Sequence, residues 1–258
     1  MNRPAHAAHA PHAPRAAACA AWLLLLAPLP PYAQASPALP PDAVIRIASA
    51  GDSAQHPVIL LLHARGGYLA GKDFYDRYAD RLASRGYDVY AVQYYDASDE
   101  RIMALPDRSA RQDLFQRRLR AWIATVKAGI GYVAGLPTTD AHRIGLLGFS
   151  NGALLAIGTA GLDRRVAAVV EMYGAMPSAL SGSITRLPPT LILHGDADQV
   201  ISVEKAYALE RFLKQRSIPH AIHIYPGADH GFDGDPASPD ARDAERRTAD
   251  FFDAQLKK

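Results

Sequence analysis

The sequence predicts an α/β fold, a mainly parallel β-sheet with helices on both faces. Three observations lead there. Short apolar runs alternate along the chain with longer segments, the central runs are close to continuously apolar, and the longer segments repeat their apolar residues at three- and four-residue steps. Continuous apolar runs suit strands buried on both faces, whereas a half-solvated strand would alternate.

The runs, in order, are Val44 to Ile47, Val58 to Leu62, Asp88 to Val92, Ile144 to Leu147, Val166 to Val170, Thr190 to Leu193 and Ala221 to Tyr225. Phe74, Tyr78 and Leu82 mark a first helix ending before Gly86. Leu114, Phe115, Leu119, Trp122, Ile123 and Val126 share one face of a second. Ala153, Leu154, Ile157 and Ala160 mark a third, ending near Gly161. Ser202 is placed to cap a fourth, with Glu204 in its first turn and Ala206, Leu209, Phe212 and Leu213 facing the core. Ala244, Thr248, Phe251 and Phe252 mark a closing helix. A sheet of this type presents its sites in the loops after the carboxyl ends of its strands.

The first 35 residues read as a secretory signal peptide rather than as fold. Met1 to Arg15 carries Arg3 and Arg15 and no acid, Ala16 to Leu29 is almost wholly apolar, and Ala33-Gln34-Ala35 supplies a small-residue cleavage site. The apolar run is too short to span a membrane, and Pro28, Pro30 and Pro31 break it. Cleavage after Ala35 leaves one domain, residues 36–258, opening on a proline-rich lead-in to Asp42. That domain is expected in the periplasm or outside the cell, with no membrane attachment. Cys19 and the histidine tract His6, His9 and His12 leave with the leader, so neither a disulfide nor a catalytic thiol is expected. Loss of Arg3 and Arg15 takes the formal charge from +2 to zero, which gives no electrostatic reason for a nucleic-acid partner. Arg117-Arg118 and Arg246-Arg247 read as solvated helix faces.

Gly148-Phe149-Ser150-Asn151-Gly152 matches G-x-S-x-G between an expected strand and an expected helix. A tight turn there raises the serine hydroxyl above the sheet, and small neighbours are needed because the strained backbone leaves no room for Cβ atoms. A serine needs a base to take its proton. Among His56, His63, His142, His194, His220, His223 and His230, only His230 lies in a loop after the last strand. His223 alternates with Ile222 and Ile224 within that strand, and His194 ends the preceding one, where it reads as structural. An acid between serine and histidine in chain order falls at Asp196 or Asp198, in His194-Gly195-Asp196-Ala197-Asp198. Asp196 suits the turn itself, bonding backbone N–H groups. An oxyanion hole takes one backbone N–H from Asn151, directly after the serine. The second is expected from His63-Ala64-Arg65-Gly66-Gly67, with Arg65 preferred and Ala64 next.

These residues resemble the dienelactone hydrolase-like branch of the α/β-hydrolases over nearly the whole chain from Val44. The resemblance rests on Gly86 to Val92 followed by Tyr94-Tyr95, on Gly148 to Gly152, on Tyr173-Gly174, on His194 to Asp198 and on Asp229-His230-Gly231-Phe232. It implies Asp198 as the acid and His230 as the base. With Ser150 at the turn, the expected activity is a serine-dependent hydrolysis of small carboxylic esters or lactones that works without a cofactor. Two departures stand out: Ser150 replaces the family's cysteine, and Gly234 occupies the position of an arginine that holds the substrate carboxylate. A general ester hydrolase is therefore expected rather than a dienelactonase. Little chain separates Tyr173 from Thr190, so no large cap domain and an open, small-acyl site are expected, lined by Tyr68, Tyr95, Tyr173 and Phe232. A prolyl-oligopeptidase-like peptidase is disfavoured by the lack of a propeller-sized N-terminal region. A non-catalytic exported binding protein is disfavoured because no triad member is missing. Asp229, His230, Asp233 and Asp235 cluster without a metal-ligand spacing, so no metal site is expected.

Overall fold

The computed structural model describes residues 43–51 and 54–257. The leader with Cys19 and its histidines, and the lead-in over 36–42, lie outside the described residues. In chain order the elements are β1 (Val44–Ala48), β2 (His56–Leu62), α1 (Lys72–Ala83), β3 (Asp88–Val92), α2 (Ala97–Ala104), α3 (Arg108–Ala134) and β4 (Thr139–Phe149). Then come α4 (Asn151–Leu162), β5 (Val166–Met172), β6 (Thr190–Gly195), α5 (Glu204–Gln215), β7 (His220–Tyr225) and α6 (Pro239–Leu256).

The strands form one sheet in the order β1-β3-β2-β4-β5-β6-β7. β1 runs antiparallel to β3 and every other pair is parallel. β2 shows why continuous apolar runs are needed. Val58, Leu60 and Leu62 pack on one face with α3, α4 and α5, while Ile59 and Leu61 pack on the other with α1 and α6, all fully buried. Each such side chain contributes about 1.5–3 kcal/mol by leaving water. The order reverses at β2 and β4, hydrogen-bonded neighbours with Leu62 opposite Gly148. Their carboxyl ends therefore open together at one crevice, where ligands bind in open α/β sheets.

The structure departs from the sequence expectations at three places. α2 has no counterpart among them, because only Ile102 and Met103 give it apolar character. It is held instead by a capping box between Asp96 and Asp99 and by tertiary contacts. Buried Asp99 accepts from Arg118 Nε at 3.0 Å and from Trp122 Nε1 at 2.8 Å, so Arg118 anchors α2 rather than lying on a solvated face. The third concerns α5, whose N-cap is Val203 with no side-chain cap. The Ser202 hydroxyl only accepts from Glu204 N–H at 3.4 Å. No helix among the described residues is long and apolar enough to cross a membrane.

Candidate active site

Ser150 sits between β4 and α4 with φ 52° and ψ −113°, a left-handed conformation that a non-glycine residue adopts only when its surroundings force it. The forcing is visible in its neighbours. A Cβ on Gly148 would meet Gly152 O at 2.4 Å, and one on Gly152 would meet Leu62 O at 2.1 Å. The first turn of α4 is thus pressed directly onto the end of β2, and Ser150 N–H donates to Met172 O of β5 at 2.9 Å.

Ser150 Oγ lies 2.9 Å from His230 Nε2, and His230 Nδ1 lies 2.7 Å from Asp198 Oδ2. The other Asp198 oxygen accepts the N–H groups of Val200 and Ile201, both at 2.8 Å. Its imidazole-facing oxygen, which also lies 3.2 Å from His194 Nε2, accepts His230 Nδ1–H and holds the ring with a bare Nε2 toward the serine. Asp196 takes the turn role expected of it, accepting from Gly227 N–H at 2.6 Å. The loops bearing Asp198 and His230 are tied further by Asp229, whose Oδ1 accepts from Gln199 N–H at 2.9 Å. Asp233, fully buried, accepts from the Tyr78 hydroxyl of α1 at 2.6 Å and anchors the far end of the histidine loop. In the sequence these two acids form only a cluster without a metal-ligand spacing.

Buried His194 donates Nε2–H to Ile201 O at 2.8 Å beneath Asp198, the structural place expected. Burial lowers its pKa and keeps it neutral. His223 stays on the sheet, its ring edge-on to Tyr225.

The loop after β2 is held by aromatic groups. Ala64 N–H donates to the Tyr75 hydroxyl at 2.8 Å, His63 Nδ1–H donates to Ala64 O at 2.8 Å, and the Tyr94 hydroxyl donates to His63 O at 2.5 Å. His63 stacks on Tyr94 with ring centroids 4.0 Å apart, and burial lowers its pKa to about 4, so it stays neutral. Ala64 N–H is thereby committed. Among the described residues, the N–H groups of Arg65 and Asn151 have no acceptor.

Ser150 and His230 open into a cavity of about 830 Å³. None of the four aromatics expected to line it does so. Tyr68 is buried with its hydroxyl on Asp76, and Tyr95 is buried with its hydroxyl accepting from Asn151 Nδ2 at 3.1 Å. Tyr173, at φ 43°, packs edge-on beside His230, and Phe232 packs against Tyr225 and Tyr173. These rings support the loops instead. The apolar wall is Met103, Phe115, Leu119 and Leu154, from α2, α3 and α4, and Arg65, Arg108 and Arg111 stand around it. No group of acids, histidines or cysteines that could hold a metal ion occurs among the described residues.

Fold and site together define an α/β-hydrolase, with serine, histidine and aspartate in chain order Ser, Asp, His at three strand ends. The model of the dienelactone hydrolase family matches residues 45–256, and the chain belongs to that family. It is a hydrolase of ester or lactone type. A protein of Synechocystis sp., provisionally named carboxymethylenebutenolidase, is 26% identical over 221 residues, spanning 79% of this chain and 88% of its own. Among solved structures, a provisionally assigned dienelactone hydrolase from Klebsiella pneumoniae superposes with TM-score 0.65 at 20% identity, covering 81% of this chain and 96% of its own. The Pyrobaculum calidifontis esterase superposes with TM-score 0.63 at 18% identity, covering 84% and 86%. Thermogutta terrifontis esterase 2, phosphonylated by cyclosarin, does so with TM-score 0.63 at 16% identity, covering 81% and 87%. These three likenesses speak for the shared fold.

Proposed function

We propose that the protein hydrolyses small carboxylic esters or lactones through an acyl-enzyme on Ser150. The observation that carries this reading is the unbroken hydrogen-bond series Ser150–His230–Asp198 opening into the cavity. Ser150 Oγ attacks the acyl carbon as its proton passes to His230 Nε2, and Asp198 stabilises the imidazolium that forms. The carbonyl oxygen becomes an oxyanion and accepts from Asn151 N–H and Arg65 N–H, with the N-terminus of α4 behind it. The acyl–oxygen bond then breaks, and His230 returns its proton to the departing alkoxide. Water, deprotonated by His230, attacks the acyl-enzyme and releases the acid with Ser150 restored. No step calls on a metal or organic cofactor. The apolar wall takes the acyl group, and the short Tyr173–Thr190 segment leaves the mouth uncapped.

The protein is further proposed to be exported, residues 1–35 being removed, and to act as the single domain 36–258 in the periplasm or outside the cell on a small-molecule ester.

The test is labelling with a fluorophosphonate probe. The wild type is expected to take up one probe, and Ser150→Ala and His230→Ala none. N-terminal sequencing of the exported, labelled protein is expected to begin at Ser36. A folded wild type that never labels would overturn the acyl-enzyme and favour a binding protein. Esters with short acyl chains are expected to be cleaved faster than long ones, and the reverse order would overturn the small-acyl site.

A further inference from the structure

Glu171 is a carboxyl group in a place that gives a carboxylate nothing. It lies on β5 in register with Gly148 of β4 and Ile192 of β6, and it is fully buried. Neither of its oxygens has a hydrogen-bond partner of good geometry, and the one donor that bears on it is the backbone N–H of Gly174. Its position relative to the nucleophile follows from Gly174. A Cβ there would stand 2.7 Å from Glu171 Oε1, 2.4 Å from Ala153 Cβ and 3.3 Å from Ser150 O. The carboxyl group therefore packs against the underside of the serine turn and the first turn of α4.

No cation faces it. On β5 it is the only ionisable residue, and α4 has none from Asn151 to Leu162. The ionisable residues of β4, Asp140, His142 and Arg143, lie at the strand's opposite end from Gly148. From β6 and the loop after it come neutral His194, one step along the same face from Ile192, and Asp198. Tyr173 follows on the chain with its phenol held un-ionised by burial.

We propose that Glu171 is a positioning residue for the charge of the active site: neutral beneath the nucleophile, it permits acyl transfer, and on losing its proton it shuts acyl transfer down. The inference rests on the acyl-enzyme reading above. A second carboxylate beside Asp198 would oppose the oxyanion that must form at Ser150. It would also stabilise the His230 imidazolium, leaving less free base to take the serine proton. Burial raises the pKa of Glu171 to about 8, the nearby Asp198 charge pushes the same way, and the N–H of Gly174 opposes them without prevailing. The group is thus mostly protonated at neutral pH and ionises in the mildly alkaline range.

The proton has a second consequence. A carboxyl group whose folded pKa exceeds its unfolded one costs stability progressively as pH rises, because the unfolded chain releases its proton first. The loss accumulates from the ordinary glutamate range up to about 8 and then levels off.

The experiment uses the mature protein with Glu171→Gln and, in case the amide is not accommodated, Glu171→Met, neither of which can ionise. Each profile of kcat/KM against pH is normalised to its own maximum, with circular dichroism confirming the fold throughout. The wild type is expected to show a descending limb centred near 8, with a loss of at least about tenfold by two units higher. The variants are expected to hold a plateau across that range. A wild-type profile without the limb, or a limb that persists in both variants, would overturn the proposal. Thermal midpoints give a readout free of turnover. The wild type is expected to lose stability relative to Glu171→Gln between about pH 5 and pH 8, and parallel curves would overturn it too. Failure of fluorophosphonate labelling would instead strike the acyl-enzyme reading, while the thermal comparison would still report on the proton.

Discussion

Asp198→Asn is expected to lower kcat by about 10⁴-fold while leaving KM within a few-fold. The size of the loss follows from how both carboxylate oxygens are used. Oδ1 accepts two backbone N–H groups, from Val200 and Ile201, and Oδ2 accepts the imidazole. An asparagine has one oxygen for these two duties. If its oxygen stays on the backbone pair, its amino group faces His230 Nδ1. The ring must then carry its proton on Nε2, the nitrogen that has to receive the serine proton. If its oxygen turns to the imidazole, the amino group confronts two N–H donors, and the loop leading into α5 is left with unsatisfied groups costing about 1–3 kcal/mol each. The measurement is kcat and KM on a chromogenic ester, with the thermal midpoint as a control. A variant within tenfold of the wild type would mean that Asp198 does not orient the base.

Gly152→Ala is expected to yield little folded protein, and what folds is expected not to label at Ser150. The added Cβ would lie 2.1 Å from Leu62 O and 2.6 Å from His63 O, backbone atoms that cannot swing aside as a side-chain tip does. Relief requires α4 to back away from β2 or the β2 end to yield. Either movement separates the Asn151 N–H from the Arg65 loop, because both N–H groups are carried by the elements being pushed apart. Overpacking of well-filled sites costs about 1–3 kcal/mol and more where backbone must move, against a total of about 5–15 kcal/mol for a domain. Gly182→Ala is the matched control: its Cβ would meet nothing within 4 Å, and a change under about 0.5 kcal/mol is expected. Equal expression and equal labelling of the two variants would show that the tight contact at Gly152 is not needed.

The two predictions differ in how far they could be seen in the sequence. Small residues two positions either side of Ser150 already announced a cramped turn, because only a strained strand-to-helix connection requires them. That the pressing atom is Leu62 O could not be read. It depends on β2 and β4 being sheet neighbours, and nothing local to either strand says so. The local pattern likewise leaves two candidate acids in His194 to Asp198, between which the family resemblance selects Asp198; in the structure Asp196 is spent on Gly227 N–H, and Asp198 reaches His230. The aromatic residues went the other way. Tyr68, Tyr95, Tyr173 and Phe232 sit near the right strand ends in sequence, yet they prop the loops from behind. The cavity wall comes from α2, the first turns of α3 and Leu154 of α4; Phe115, Leu119 and Leu154 are legible as apolar helix-face residues, but nothing local to them says that they meet beside Ser150.

By itself, the sequence determined the layered α/β architecture, the strand-to-helix turn at Ser150 and the loop position of His230, because each depends on residues close together in the chain. Periodicity, turn chemistry and small-residue spacing act over a few residues and leave a local record. Only the tertiary structure decided the strand order, the cavity wall and the isolation of Glu171 from any cation among the described residues. Those depend on which distant segments become neighbours, and burial assigns a carboxyl group its charge only after every surrounding element is in place.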